Sequence, residues 1–180
     1  MKDDKLYKTK YPIGEFDYSK YYTDDEVGDF ENEILLFPEK LKSFVSELKE
    51  EDLGKRYREG GWTIRQIIHH LADSHMNGYI RAKLTVTEDK PVIKPYLENE
   101  WSALEEINKT ELEYSIKIIE GLHKRWGNFL KTLEPEDYDR TFFHPEHNLE
   151  ISLRTSTGSY AWHGTHHIEQ MKQALKNPVW

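Results

Sequence analysis

The sequence predicts an all-α fold, a four-helix bundle with a long loop or short hairpin before the last helix. Three observations carry that prediction. Four long stretches place apolar residues at helical spacing. No stretch alternates polar and apolar residues as a half-buried strand does. Proline or paired glycine marks the gaps between the stretches. A chain of 180 residues can bury a sizeable core, and residues 1–180 read as a single domain without internal repeats.

Taken in order, residues 1–22 are polar and tyrosine-rich, contain Pro12 and Gly14, and read as an extended arm. The first helix is expected from about Thr23 to Lys49, on the spacing of Ile34, Leu35, Leu41, Phe44, Val45 and Leu48. Pro38 lies inside it and predicts a kink or break, because proline has no N–H to give the preceding turn. Gly60-Gly61 stops the chain. Thr63 then begins a capping box, with Gln66 three residues on, for a helix reaching about Thr87. Pro91 and Pro95 make residues 88–101 a loop. A third helix is expected from about Thr110 to Leu133, with Leu112, Ile116, Ile119, Leu122, Trp126, Phe129 and Leu130 on one side. Residues 134–152, with Pro135 and Pro145, form the long connection. The fourth helix runs from about Arg154 to Lys176 and is ended by Asn177-Pro178.

Composition narrows the function. The chain has no cysteine, so disulfides, thiolate metal sites and cysteine nucleophiles are excluded, and any metal must be held by His, Asp or Glu. A formal charge of −8 disfavours nucleic acid, whose phosphates call for a basic face. Apolar runs of only a few residues predict no membrane span. The charged start, Met1-Lys2-Asp3-Asp4-Lys5, shows no secretory signal, so a cytoplasmic location is the expectation.

The histidines are the chemical clue. His163 and His167 are four apart on a predicted helix, which stacks two imidazoles one turn apart on the same face. Such a pair can bind one transition-metal ion. A second cluster, His69, His70 and His75, lies on the earlier helix. On a helical wheel, His75 falls near the middle of the apolar face set by Ile64, Ile67, Ile68 and Leu71. His70 falls at its edge and His69 opposite. His167 lies within the buried side of the last helix, His163 at its border, and His166 points away. The wheel therefore nominates His163 and His167 and leaves His70 and His75 competing for a third ligand. His69 and His166 are expected to face solvent or to support a ligand, and His123, His144 and His147 to lie in loops or on the surface.

Further segments make the pattern specific. Gly60-Gly61-Trp62-Thr63-Ile64-Arg65-Gln66-Ile67-Ile68-His69-His70-Leu71-Ala72-Asp73-Ser74-His75-Met76-Asn77 closely resembles the DinB/YfiT-like superfamily. So do Tyr11-Pro12-Ile13-Gly14-Glu15-Phe16, Leu122-His123-Lys124-Arg125-Trp126, Phe143-His144-Pro145 and Trp162-His163-Gly164-Thr165-His166-His167-Ile168, in that order. The resemblance extends over 11–172 and is closest to the YfiT branch, described provisionally as metal-dependent hydrolases and as bacillithiol transferases. It implies a four-helix bundle with one divalent ion, zinc or nickel, on His70, His163 and His167. It leaves His75 as a pocket or core residue, and it implies a homodimer.

Three protein ligands leave a coordination position open, as catalytic metal sites do. A cation held by neutral imidazoles can activate water, giving hydrolysis, or stabilise a thiolate, giving S-transfer. Gly164 stands where the His-Glu-x-x-His proteases carry their glutamate base, which disfavours peptide hydrolysis. The expected activity is therefore transfer of a small bacillithiol-like thiol to small electrophiles, with hydrolysis as the alternative. Asp73, one turn beyond His70, is a candidate base or ligand-orienting group. Asn77 and Arg81 are candidates for the carboxylates of a thiol, and Tyr160 and Trp162 for the pocket wall. A third reading is a non-catalytic metal-binding stress protein, which a fourth protein ligand would favour.

Overall fold

The computed structural model describes residues 4–176. Four long helices make the bundle: α2 (Asp24–Ser46), α3 (Ile64–Thr87), α6 (Leu112–Leu130) and α7 (Leu153–Lys176). Short helices α1 (Asp4–Lys10), α4 (Glu98–Ser102) and α5 (Glu106–Lys109) surround it. The hairpin of β1 (Thr141–His144) and β2 (Leu149–Ser152) fills the connection before α7, pairing Phe142 with Ile151 over a small cluster with Ile93. α2 and α3 each pack against both α6 and α7, so α2 stands diagonally across the bundle from α3, and α6 from α7. That order makes α3 and α7 neighbours, which is what brings their histidines together.

The long helices begin where local chemistry says they should. Thr23 and Thr63 each accept from the backbone N–H three residues on, while Glu26 and Gln66 accept from the cap's own N–H. Gly60, in the left-handed region at φ 64°, makes the turn that feeds Thr63. At the start of α7 the buried Arg154 is held by Asp24 (2.7 Å) and Asp139 (3.1 Å), which ties this helix to the beginning of α2.

Three expectations are corrected. The arm at 1–22 is not extended throughout. Asp4–Lys10 is helical, and the Gln170 amide of α7 donates to the Lys10 carbonyl (2.9 Å), satisfying an acceptor that a helix end leaves free. The 88–101 loop closes into α4 at its end, with α5 following. Most informative is Pro38: α2 runs on through it without a break. The missing N–H frees the Ile34 carbonyl one turn back, and the buried His123 of α6 donates to that oxygen through Nδ1 (2.6 Å). The Asn177-Pro178 stop lies outside the described residues.

Candidate metal centre

Nε2 of His163 lies 3.3 Å from Nε2 of His70 and 3.2 Å from Nε2 of His167. One ligand atom from each residue falls within 4.8 Å of the others, and among the described residues no carboxylate joins the group. Zinc–imidazole bonds are about 2.0–2.1 Å, so donors at tetrahedral angles around such an ion stand about 3.3–3.4 Å apart. The observed spacing fits an ion of that size. His75, the other contender, stands behind His163, with Nε2 3.1 Å from the Nδ1 of His163.

The rear nitrogens are engaged. Gln170 must donate through Nε2 to the Lys10 carbonyl, which can only accept, so its Oε1 faces Nδ1 of His167 at 2.8 Å. His167 therefore carries its proton on Nδ1 and presents a lone pair at Nε2. Nδ1 of His70 lies 3.4 Å from the Tyr96 hydroxyl, and the Trp62 ring packs on His70 at 4.4 Å between centroids. Burial, followed by neighbouring imidazoles, holds all three histidines well below the ordinary histidine value. They are neutral near pH 7, the form a metal requires.

A cavity of about 380 Å³ opens from His163 towards the hairpin. Arg81 and Tyr160 line it, with Tyr18, Ser159, Glu98 and His144 farther out. Arg81 points Nη1 at the Tyr160 hydroxyl (3.5 Å); its Nε has no hydrogen-bond partner, and no carboxylate pairs with it, among the described residues. Asn77 is turned back onto its own helix, donating to the Asp73 carbonyl (2.9 Å), and does not line the cavity. Trp162 stacks on His166 (4.3 Å between centroids), also away from the cavity. The position after His163 is closed: a Cβ on Gly164 would stand 2.6 Å from the Phe37 ring. A glutamate base has no room there.

Asp73 is half-buried, outside the cavity wall. Burial and then Glu106 raise its carboxyl from 3.8 to about 6. Between those values the folded chain binds more protons than the unfolded one, so stability falls as pH rises through this window. Asp73→Asn is therefore expected to stabilise the protein at pH 7.5 by about 1 kcal/mol after allowance for the group's exposure. That corresponds to about 2–4 °C in Tm for a chain of this size. The gain should vanish at pH 4, and equal melting shifts at both pH values would contradict the assignment.

His123 and His144 depart from the loop or surface position expected of them, and His69 and His166 from the solvent-facing half of their expectation. His69, His123, His144 and His166 are all buried. The wheel assumed one wet face per helix, whereas α3 is covered by α6 on one side and α7 on another, and α1 packs on α7. His69 thus reaches Ser115 of α6 (2.8 Å). His166 accepts from Gln170 (2.9 Å). His144 forms part of the cavity wall beside His147. Sequence reasoning also missed Tyr96, Gln170 and the packing role of Trp62. The i, i+3 spacing of His167 and Gln170 was the one available signal.

Comparison with known proteins shows the family and the fold. The sequence profile of the DinB superfamily matches residues 35–171. A protein of Oceanobacillus iheyensis, provisionally named a metal-dependent hydrolase, is 50% identical over 95% of this chain and 98% of its own. A Bacillus cereus protein with the same provisional name is 43% identical over the same shares. Among solved structures, YfiT from Bacillus subtilis superposes with a TM-score of 0.91 at 38% identity, covering 96% of this chain and 99% of its own. It is provisionally described as a metal-dependent hydrolase with an unusual four-helix bundle topology. A mycothiol-dependent maleylpyruvate isomerase superposes at 0.64 with 14% identity, covering 81% and 60%, a likeness of fold alone.

Proposed function

Because the chain belongs to the DinB superfamily, in its YfiT-like branch, and gathers three imidazoles beside a polar cavity that His163 lines, we propose that it is a metal-dependent S-transferase that joins a small thiol to small electrophiles. His70, His163 and His167 are its metal ligands, for one divalent ion such as zinc or nickel. When bound, that ion supplies a positive charge that favours the ionised form of a thiol or water at its open position.

The observation that carries the thiol reading is Arg81. Arg81 lines the cavity with no carboxylate in ion-pair contact among the described residues and shares the wall with Glu98, so its guanidinium has donor capacity for an anionic ligand. A thiol bearing carboxylates, as bacillithiol does, would satisfy Arg81 while its sulfur reaches towards His163. The Tyr160 hydroxyl steadies the guanidinium, and the Tyr18–Ser159 pair (2.9 Å) forms part of the outer wall. In the reaction the thiol first loses its proton to solvent water. The sulfur then forms a bond to the electrophilic carbon as the leaving group departs with its electron pair. The closed position at Gly164 removes the base that the zinc proteases use, and an ionised thiol needs no such base.

Hydrolysis is the second reading, favoured by the provisional names of the relatives and by the Glu98 carboxylate in the cavity wall. The two separate in one assay. Zinc- or nickel-loaded protein is given bacillithiol with a halogenated bimane, and separately a nitrophenyl ester without thiol. Metal-dependent conjugation, about 100-fold or more over the thiol alone, is expected from general catalytic magnitudes. Metal-dependent ester cleavage with no conjugate would sink the transfer reading.

A further inference from the structure

Two buried imidazoles, a third that is half-buried and one main-chain carbonyl form a line through the bundle that passes through all four long helices. It starts at Ile34 on α2, whose carbonyl Pro38 leaves without its helical donor. Nδ1 of His123 on α6 lies 2.6 Å from that oxygen. Nε2 of His123 lies 2.8 Å from Nδ1 of His75 on α3. Nε2 of His75 lies 3.1 Å from Nδ1 of His163 on α7. Phe37 stacks on His75, at 5.1 Å between centroids, and lies tilted against His123 at 5.2 Å, and Gly164 gives it the space to do so.

The end of the line fixes its direction. A carbonyl oxygen can only accept, so His123 carries its proton on Nδ1. A neutral His123 then offers a lone pair at Nε2, and His75 must donate to it from Nδ1. A neutral His75 in turn offers a lone pair at Nε2, and His163 must donate to it from Nδ1. The His75 and His123 rings are buried, where a charged ring is costly. The same carbonyl cannot pass a proton on, so the line is a clamp and not a conduction path.

Resting on the metal reading above, we propose that His75 and His123 are positioning residues, a one-way hydrogen-bond line from the Ile34 carbonyl that holds His163 in the tautomer whose Nε2 is free to ligate. Pro38 belongs to the device because it clears the terminal acceptor. His167 has its own version, through Gln170 to the Lys10 carbonyl. Both members of the His-x-x-x-His pair are thus oriented from main-chain oxygens on other helices.

Imidazole 15N spectra of the unmodified, metal-free protein should show His163 protonated at Nδ1 and unprotonated at Nε2. A proton on Nε2 would overturn the proposal. In His75→Phe, zinc affinity measured by competition with a chromophoric chelator should fall about 10–100-fold. His75→Gln should recover most of that loss, since its amide oxygen accepts from His163 and its amino group donates to His123. A folded His75→Phe that binds zinc as tightly as the unmodified chain would also overturn it. If the unmodified chain takes up neither zinc nor nickel, the metal reading fails, and the spectrum of the metal-free protein still decides the tautomer.

Discussion

His167→Ala is expected to abolish the rise in melting temperature that zinc gives the unmodified chain. Free metal at about 100 times its dissociation constant stabilises a folded protein by about 2.7 kcal/mol. For a chain of this size that is about 5–10 °C in Tm. Removing one of three imidazoles leaves two ligands and leaves Gln170 Oε1 without its imidazole partner. Affinity should fall by about three orders of magnitude, given that structural zinc sites bind with about 10–16 kcal/mol in all. At the same zinc concentration the variant's shift should be lost in the noise. His69→Ala is the control. His69 is buried and bonded to Ser115, so the variant should melt lower, yet it should keep the zinc increment. A zinc-dependent shift that survives in His167→Ala would place the ion elsewhere.

The second large effect concerns Arg81. If its guanidinium holds a carboxylate of the thiol, Arg81→Ala should raise KM for bacillithiol about 10–100-fold, the range for charge-assisted hydrogen bonds of about 1.5–3 kcal/mol. kcat should change little, because the contact is made equally before and during bond formation. Arg81→Lys should recover only part of the loss, since an ammonium does not reproduce the planar fork. The decisive comparison is a thiol without carboxylates, such as cysteamine. Arg81→Ala should leave its KM almost unchanged. Equal losses for both thiols would mean that Arg81 shapes the cavity through Tyr160 and binds no anion.

Legibility in the sequence followed the range of the interactions. The long helices and the Thr63 cap were readable because periodicity and capping are written in neighbouring residues. α1, α4 and α5 were not, because elements so short are held by docking, as Lys10 is by Gln170, and the hairpin before α7 was read only as an alternative to a loop. The His163–His167 pair was readable from its spacing alone. His70 required the family resemblance, because a wheel with one wet face ranks His75 above it. The structure shows why that ranking misleads: His75 is wholly buried, but its Nε2 faces the back of His163. Pro38 was read as an interruption because sequence shows the lost N–H and not the distant donor that replaces it. His123 lies far along the chain from Ile34, and only the packing of α6 against α2 joins them.

The central claim is that three imidazoles from two adjacent helices hold one metal ion with a position open to the cavity. Anomalous diffraction from crystals of the zinc-loaded protein, collected on both sides of the zinc edge, tests it most directly. The expected result is a single strong peak bonded to Nε2 of His70, His163 and His167, with a non-protein ligand on the side of Arg81 and Tyr160. No peak among these histidines, or a peak whose fourth ligand is a protein side chain, would contradict it.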